Sequence, residues 1–295
     1  MYDQFIERVF KPSSQRIIEQ ANAIITEYQE AGFVLTLRQL YYQFVARDIL
    51  PNLQTEYKRL GSILNDARLA GLVDWEAMED RTRNLRSYTT HVSPAEAARE
   101  TARLYIENLW ENQPCYVEVW IEKDALLGVI EPVCGRWRLP HFACRGHTSQ
   151  SEQYSAGQRF AAMAELEKEV IILHLGDHDP SGLDMTRDNQ DRLDMFTRGA
   201  GVEVRRIALN MDQIRRYRPP ANPAKETDSR FATYYENHGT RSSWELDSLD
   251  PKVIDTLIDD EILSLVDEDR WTDDLARERS NRRKLIEAAA AMDSE

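Results

Sequence analysis

Cysteine is scarce in this chain: Cys115, Cys134 and Cys144 are the only three in 295 residues, and no two form a CxxC pair. An odd, scattered set argues against a disulfide framework or a zinc ribbon and fits a reducing compartment. Long apolar runs are missing too. Nothing approaches the ~18 residues that a membrane span requires, and the mean hydropathy is −0.59. The opening stretch MYDQFIERVF carries acids and no apolar segment. No secretory signal and no membrane partner are therefore expected, and the expected location is the cytoplasm. A GxxxxGK[ST] phosphate loop is also lacking. Basic residues are in deficit, with Lys+Arg 37 against Asp+Glu 51, a net charge of −14 and a pI near 5.0. Taken globally, that disfavours nucleic acid, because neutralising phosphates needs clustered cations. The placement of the charges weakens the objection. Residues 245–295 hold 16 acids against 7 bases, a net of −9, whereas residues 1–244 carry only −5. The 30 arginines against 7 lysines suit bidentate phosphate contacts, but a GC-rich coding sequence produces the same bias.

What is present is an ordinary globular composition, 42% apolar and 30% charged, long enough for two domains. Segment 13–31 has apolar residues at helical spacing, with Ser13 or Ser14 as a cap and Gly32 as a stop. Thr36-Leu-Arg-Gln39 has the capping-box form and opens a helix over 37–48, ended by Pro51. A third helix over 53–70 carries Leu60, Ile63, Leu64 and Ala67 as its stripe, and a charged excursion over 72–92 holds Arg81, Arg83 and Arg86. This pattern suits a winged helix-turn-helix whose recognition helix presents Lys58, Arg59 and Arg68. It equally suits a plain three-helix bundle with solvated bases. A linking helix is predicted over 94–112. Beyond Pro114 the texture becomes β-α alternation: strands over 115–122, 141–145, 170–176 and 202–209, with helices over 124–137, 149–166 and 182–198 between them. That alternation, and the continuous apolar run VIILHLG, predict a parallel α/β sheet. A long loop over 217–244 and two acidic helices, 251–268 and 271–291, follow.

The chemistry-bearing residues fall at predicted strand ends. Asp177-His-Asp179-Pro-Ser-Gly182 follows the buried strand, and Glu122-Lys123 follows the strand VEVWIE. The carboxyl ends of parallel strands are where such sheets hold ligands. Glu122, Asp177 and Asp179, converging there with no thiolate, suit Mg²⁺ or Mn²⁺. The plainer alternative is that the two aspartates are a turn and a helix N-cap. His174 and His178 flank the site but straddle a strand-to-loop junction, which is not the helical HxxxH spacing of a zinc site.

Three segments carry a family resemblance: IEK (121–123), CRGHTS (144–149) and LGDHDPSGLD (175–184). Together they resemble the Toprim domain of the topoisomerase VI A subunit and its meiotic double-strand-break relatives. TLRQLYY (36–42) is similar to that family's tyrosine motif on a winged-helix domain, and SSWELDSLDP (242–251) resembles its region after Toprim. The resemblance covers roughly residues 35–268. The short chain, with nothing like the ATPase subunit in it, is most similar to the compact stand-alone members called Mini-A. The organisation it implies is a winged-helix-like domain at 1–92, a linking helix at 93–113, a Toprim domain at 114–216, and a loop and acidic helices at 217–295 completing it. It implies Tyr42 as nucleophile, Arg38 as its helper, Glu122, Asp177 and Asp179 as Mg²⁺ ligands, and Lys123 near the phosphate. Arg38 and Tyr42 at i and i+4 share one helix face. It also implies double-stranded DNA as substrate, contacted by Lys58, Arg59, Arg68 and Arg145. A homodimer, in which one subunit's tyrosine serves the other's metal site, and a separate ATPase or accessory subunit are further implications. Tyr41 reads as packing. Two other functions remain open: a hydrolytic nuclease using the Toprim site without the tyrosine, as in Wadjet-type defence systems, and a non-enzymatic winged-helix DNA-binding protein.

Overall fold

A computed structural model describes residues 2–78 and 90–292. Three helices come first: α1 (Pro12–Glu30), α2 (Leu37–Ala46) and α3 (Gln54–Leu69). In α1 the apolar residues Ile17, Ile18, Ala21, Ile24, Ile25 and Tyr28 recur every three or four positions, and all are buried. The Thr36–Gln39 capping box forms as its spacing predicts: Gln39 N–H donates to Thr36 Oγ1, and Thr36 N–H donates to Gln39 Oε1 at 2.8 Å. In α3, Leu60, Leu64 and Ala67 are buried, while Ile63 is only partly so. The three helices share one core with Leu35 and Val73. Arg81, Arg83 and Arg86, in residues 79–89 of the predicted excursion, lie outside the described residues.

Next, α4 (Pro94–Leu104) starts at a Ser93 cap and is shorter than the predicted 94–112 helix. It stops because the chain beyond it is captured by another element. Arg282 donates to the Tyr105 carbonyl at 2.6 Å, and Glu107 N–H donates to the Glu278 carboxylate at 2.8 Å.

The alternating region forms β1 (Cys115–Ile121), α5 (Leu127–Trp137), β2 (His141–Ala143), α6 (Gln150–Glu165), β3 (Glu169–Leu175), α7 (Pro180–Phe196) and β4 (Glu203–Ala208). The strands make a four-stranded sheet in the order β2-β1-β3-β4, and every pairing is parallel. The fold is thus mixed α/β around a parallel sheet, as the sequence pattern predicts. β3 is buried from Val170 to Leu175, which is why that stretch is apolar, His174 apart, instead of alternating. Helices cover both faces. One face packs into a core with Ile130, Val133, Ile254 and Ile258, the other into a core with Ala156, Phe160 and Leu193. Ile121 pairs with Leu175, and Leu175 with Ala208, so the carboxyl ends of β1, β3 and β4 lie level. The chain leaves β1 toward β2 on one side and leaves β3 toward β4 on the other. A topological switch point therefore lies between β1 and β3, where α/β sheets place ligands.

Beyond the sheet, a short helix absent from the sequence reading, α8 (Met211–Tyr217), starts at an Asn210–Gln213 capping box. The stretch predicted as a long loop is structured. It contains β5 (Asn222–Pro223), α9 (Phe231–His238) and β6 (Ser242–Ser243), with β5 and β6 antiparallel. The two acidic helices are α10 (Pro251–Leu265) and α11 (Glu268–Ala291). Among the described residues no helix is long and apolar enough to cross a membrane.

Candidate functional site

The site begins at the switch point. Glu122 is the first residue past β1, and its Oε2 accepts the Asp177 N–H at 2.7 Å. Asp177 Oδ1 accepts the Leu246 N–H at 2.8 Å, and its Oδ2 lies 3.0 Å from Lys123 Nζ. Asp179 is the N-cap of α7, accepting the Gly182 N–H at 2.6 Å. It is therefore a cap and a member of the cluster at once. Gly182 is required there, because a Cβ on it would lie 2.2 Å from the Asp177 carbonyl oxygen. Under this turn lies Arg206, whose guanidinium donates to the carbonyls of Gly182, Gly176 and Asp177 at 3.0, 2.9 and 2.7 Å.

A second acidic pair arrives from the chain after β6. His178 and Trp244 exchange backbone hydrogen bonds at 2.8 and 3.1 Å, which brings Glu245 and Asp247 to the cluster. Lys123 Nζ lies 3.1 Å from each of them. Arg38, from α2, reaches the same two carboxylates: its Nε is 2.9 Å from Asp247 Oδ2, and its terminal nitrogen bonds Glu245. The Arg38 guanidinium also stands 5.9 Å from the centre of the Tyr42 ring. Arg38, Tyr42, Lys123, Asp177, Asp179 and Glu245 thus line one cleft of about 590 Å³ within a single chain.

Burial dominates the electrostatics. It pushes the Asp177 carboxyl up to about 7, with Lys123 opposing the rise and Glu122 adding to it. Glu122 and Asp247 are also raised by burial. Glu245 is held low, against its burial, by Lys123 and Arg38. The Tyr42 phenol is pushed up to about 12 by burial and by Asp247 and Glu245, with Arg38 pulling it down. Burial lowers Arg206 to about 10 against the carboxylates around it.

The remaining sequence candidates are placed as follows. Lys58 and Arg59 are exposed on α3, with Arg59 paired to Glu56. Arg68 turns inward, donating to the Met78 carbonyl at 2.7 Å and to that of Trp75. Arg145 is exposed and paired with Asp124 at 2.9 Å. None of these four lines the cleft. Tyr41 donates its hydroxyl to the Pro51 carbonyl at 2.9 Å and accepts the Leu53 N–H at 2.8 Å, a packing role. His174 pairs with Thr186 and His178 with Tyr234; burial lowers them to about 3 and about 4.

Glu245, Asp247 and Arg206 are site residues that the sequence reading did not assign. The WELD tract was the available signal for the first two. For Arg206 it was a pair of arginines inside the strand VEVRRIAL, of which alternation must turn one inward.

The donor set at the strand ends is all oxygen, and burial raises the Glu122 and Asp177 carboxyls. Such residues fit a hard divalent cation, which would favour their ionised forms. As arranged, no three His, Cys, Asp or Glu side chains among the described residues form a group able to hold a metal ion. Lys123 bonds one oxygen of Asp177, and backbone N–H groups take up oxygens of Glu122 and Asp179.

No protein-family model matches the chain, and no curated protein matches it.

Proposed function

We propose that this chain is a Mg²⁺-dependent DNA-cleaving enzyme of the topoisomerase VI A-subunit type, acting by tyrosine transesterification. The supporting observation is convergence. A tyrosine–arginine pair from α2 and the carboxylates of Asp177 and Asp179 at the β1–β3 switch point, far apart in sequence, line one cleft. In this reading residues 1–92 are a winged-helix DNA-binding unit with Lys58 and Arg59 on its recognition helix. Residues 114–216 are a Toprim unit that residues 217–295 complete.

The residues then have distinct roles. Glu122, Asp177 and Asp179 would hold Mg²⁺, which supplies Lewis-acid charge for the oxygens of a phosphodiester. Arg38 orients Tyr42 and adds positive charge beside the phosphate. Lys123 ties Asp177 to Glu245 and Asp247, fixing the carboxylates before substrate arrives. Tyr42 Oη attacks phosphorus and loses its proton to solvent. The P–O3′ bond breaks, and the 3′ oxygen takes up a proton. The product is a 5′-phosphotyrosyl link and a free 3′-hydroxyl. A double-strand break needs two such sites, which implies a homodimer on double-stranded DNA.

A hydrolytic nuclease is the second reading. It is favoured by a Tyr42 ring only 4% exposed and a phenol held at about 12. One assay separates the two: supercoiled plasmid with Mg²⁺, with and without proteinase treatment before electrophoresis. Transesterification leaves protein on the ends until the proteinase acts, and Tyr42→Phe loses cleavage by several orders of magnitude. Equal cleavage by Tyr42→Phe with no adduct establishes hydrolysis instead.

A further inference from the structure

Three cations line the cleft: Arg38, Lys123 and Lys225. The first two are committed. Arg38 is paired with Glu245 and Asp247, and Lys123 with those two and Asp177. Lys225 is exposed and, among the described residues, forms no ion pair. The nearby Asp228 carboxylate is already held by the Arg230 guanidinium through two hydrogen bonds of 2.8 Å.

The backbone beneath Lys225 is fixed. It follows the β5–β6 ribbon, where Ala224 is buried and donates its N–H to the Arg241 carbonyl at 2.8 Å. The Lys225 carbonyl accepts the Asp228 N–H at 3.0 Å. The Asn222 side chain ties the ribbon to both walls of the cleft: its Oδ1 accepts from Asn52 at 3.0 Å, and its Nδ2 donates to Glu245 at 3.3 Å. A flexible four-carbon stem on a pinned base, in a cleft that Gln54 and Tyr57 also line, is a point charge with no ion-pair partner among the described residues.

We infer that Lys225 contacts a backbone phosphate neighbouring the scissile one, holding the substrate strand in the cleft. This rests on the DNA-cleaving reading above. Its ligand class is the phosphodiester backbone, without regard to base. The role is binding, so losing it raises KM and leaves kcat nearly unchanged.

The test is duplex binding by fluorescence anisotropy across a KCl series, with Ca²⁺ in place of Mg²⁺, followed by cleavage kinetics in Mg²⁺. Lys225→Gln should weaken binding to different sequences alike and flatten the log K against log salt slope by about one. Lys225→Arg should restore the slope. Lys284→Gln, which removes the same charge on α11 outside the cleft, should leave it unchanged. An unchanged slope in Lys225→Gln, or an equal loss in Lys284→Gln, overturns the inference and leaves the cleavage reading standing. Absence of duplex binding by the wild type overturns the cleavage reading itself.

Discussion

Burial holds the Asp177 carboxyl near 7, well above its value of 3.8 in an unfolded chain. The unfolded state therefore ionises first as pH rises, and the native state resists. A group raised on folding contributes stability that is complete below its unfolded value and lost as pH climbs through its folded one. His174 and His178 are lowered by burial and act in the opposite sense: they cost stability as pH falls below the ordinary histidine range. The difference between wild type and Asp177→Asn cancels the histidines and isolates the aspartate. Denaturant titrations in metal-free buffer should show the asparagine variant gaining on the wild type from about pH 4 to about pH 7, by at most ~1.4 kcal/mol per pH unit. Above that range the difference should level off. Mg²⁺ favours the ionised carboxylate and should shrink the gap by stabilising the wild type more. Parallel stability curves from pH 4 to 8 would show that Asp177 is not held in its protonated form.

At the level of elements, the turn from β3 into α7 is set by contact distance. Gly182 comes so close to the Asp177 carbonyl that a methyl group there must displace backbone. Gly135, inside α5, has nothing within 4 Å of the equivalent position. Gly182→Ala should therefore cost about 1–3 kcal/mol or more by overpacking. Gly135→Ala should gain up to ~1 kcal/mol by removing the entropy cost of a helical glycine. Thermal or urea unfolding of the two variants checks both signs, and a similar gain in both would mean that propensity and not contact governs Gly182. The same turn shows what the sequence made legible. The apolar run ending at Leu175, followed by DxDPxG, located one half of the site, and Thr36–Gln39 located the helix carrying Arg38 and Tyr42. Local periodicity and capping chemistry carry that information. Three things were hidden because they depend on partners distant in sequence. The end of α4 is decided by Arg282 and Glu278 on α11. The 217–244 stretch is Pro- and Ser-rich, yet it is folded by the His178–Trp244 bridge and the β5–β6 pairing. Glu245 and Asp247 join the site only through that bridge, so the WELD tract marks their segment but not which carboxylates it delivers.

At the scale of the whole molecule, a net charge of −14 still has to be reconciled with DNA. Part of the acid excess after residue 244 is internal. Glu278 is buried between Arg138 and Arg282, Asp274 is buried against Arg277 and Asn112, and both pin α11 in place. Glu245 lines the cleft, and Asp247 pairs with its cations Arg38 and Lys123. Around the cleft, the carboxylates of Glu122, Asp177, Asp179, Glu245 and Asp247 outnumber the cations Arg38, Lys123, Arg206 and Lys225 by one, and a divalent ion reverses that sign. A metal-free cleft should therefore repel a phosphodiester, and a metal-bound one should accept it. Monovalent salt and Mg²⁺ should then act in opposite directions: KCl weakens duplex binding by releasing less counterion free energy, while Mg²⁺ at constant ionic strength strengthens it. General screening cannot produce that opposition, because Mg²⁺ competes for DNA phosphates just as K⁺ does. Asp179→Ala removes a strand-end carboxylate and should abolish the Mg²⁺ gain while keeping the KCl dependence. Pairing two clefts on one duplex should steepen the binding isotherm with protein concentration, which sedimentation with duplex reads directly. Tight binding that ignores Mg²⁺ would place the DNA surface elsewhere on the molecule, because a cleft with more carboxylates than cations cannot bind phosphate tightly without the ion.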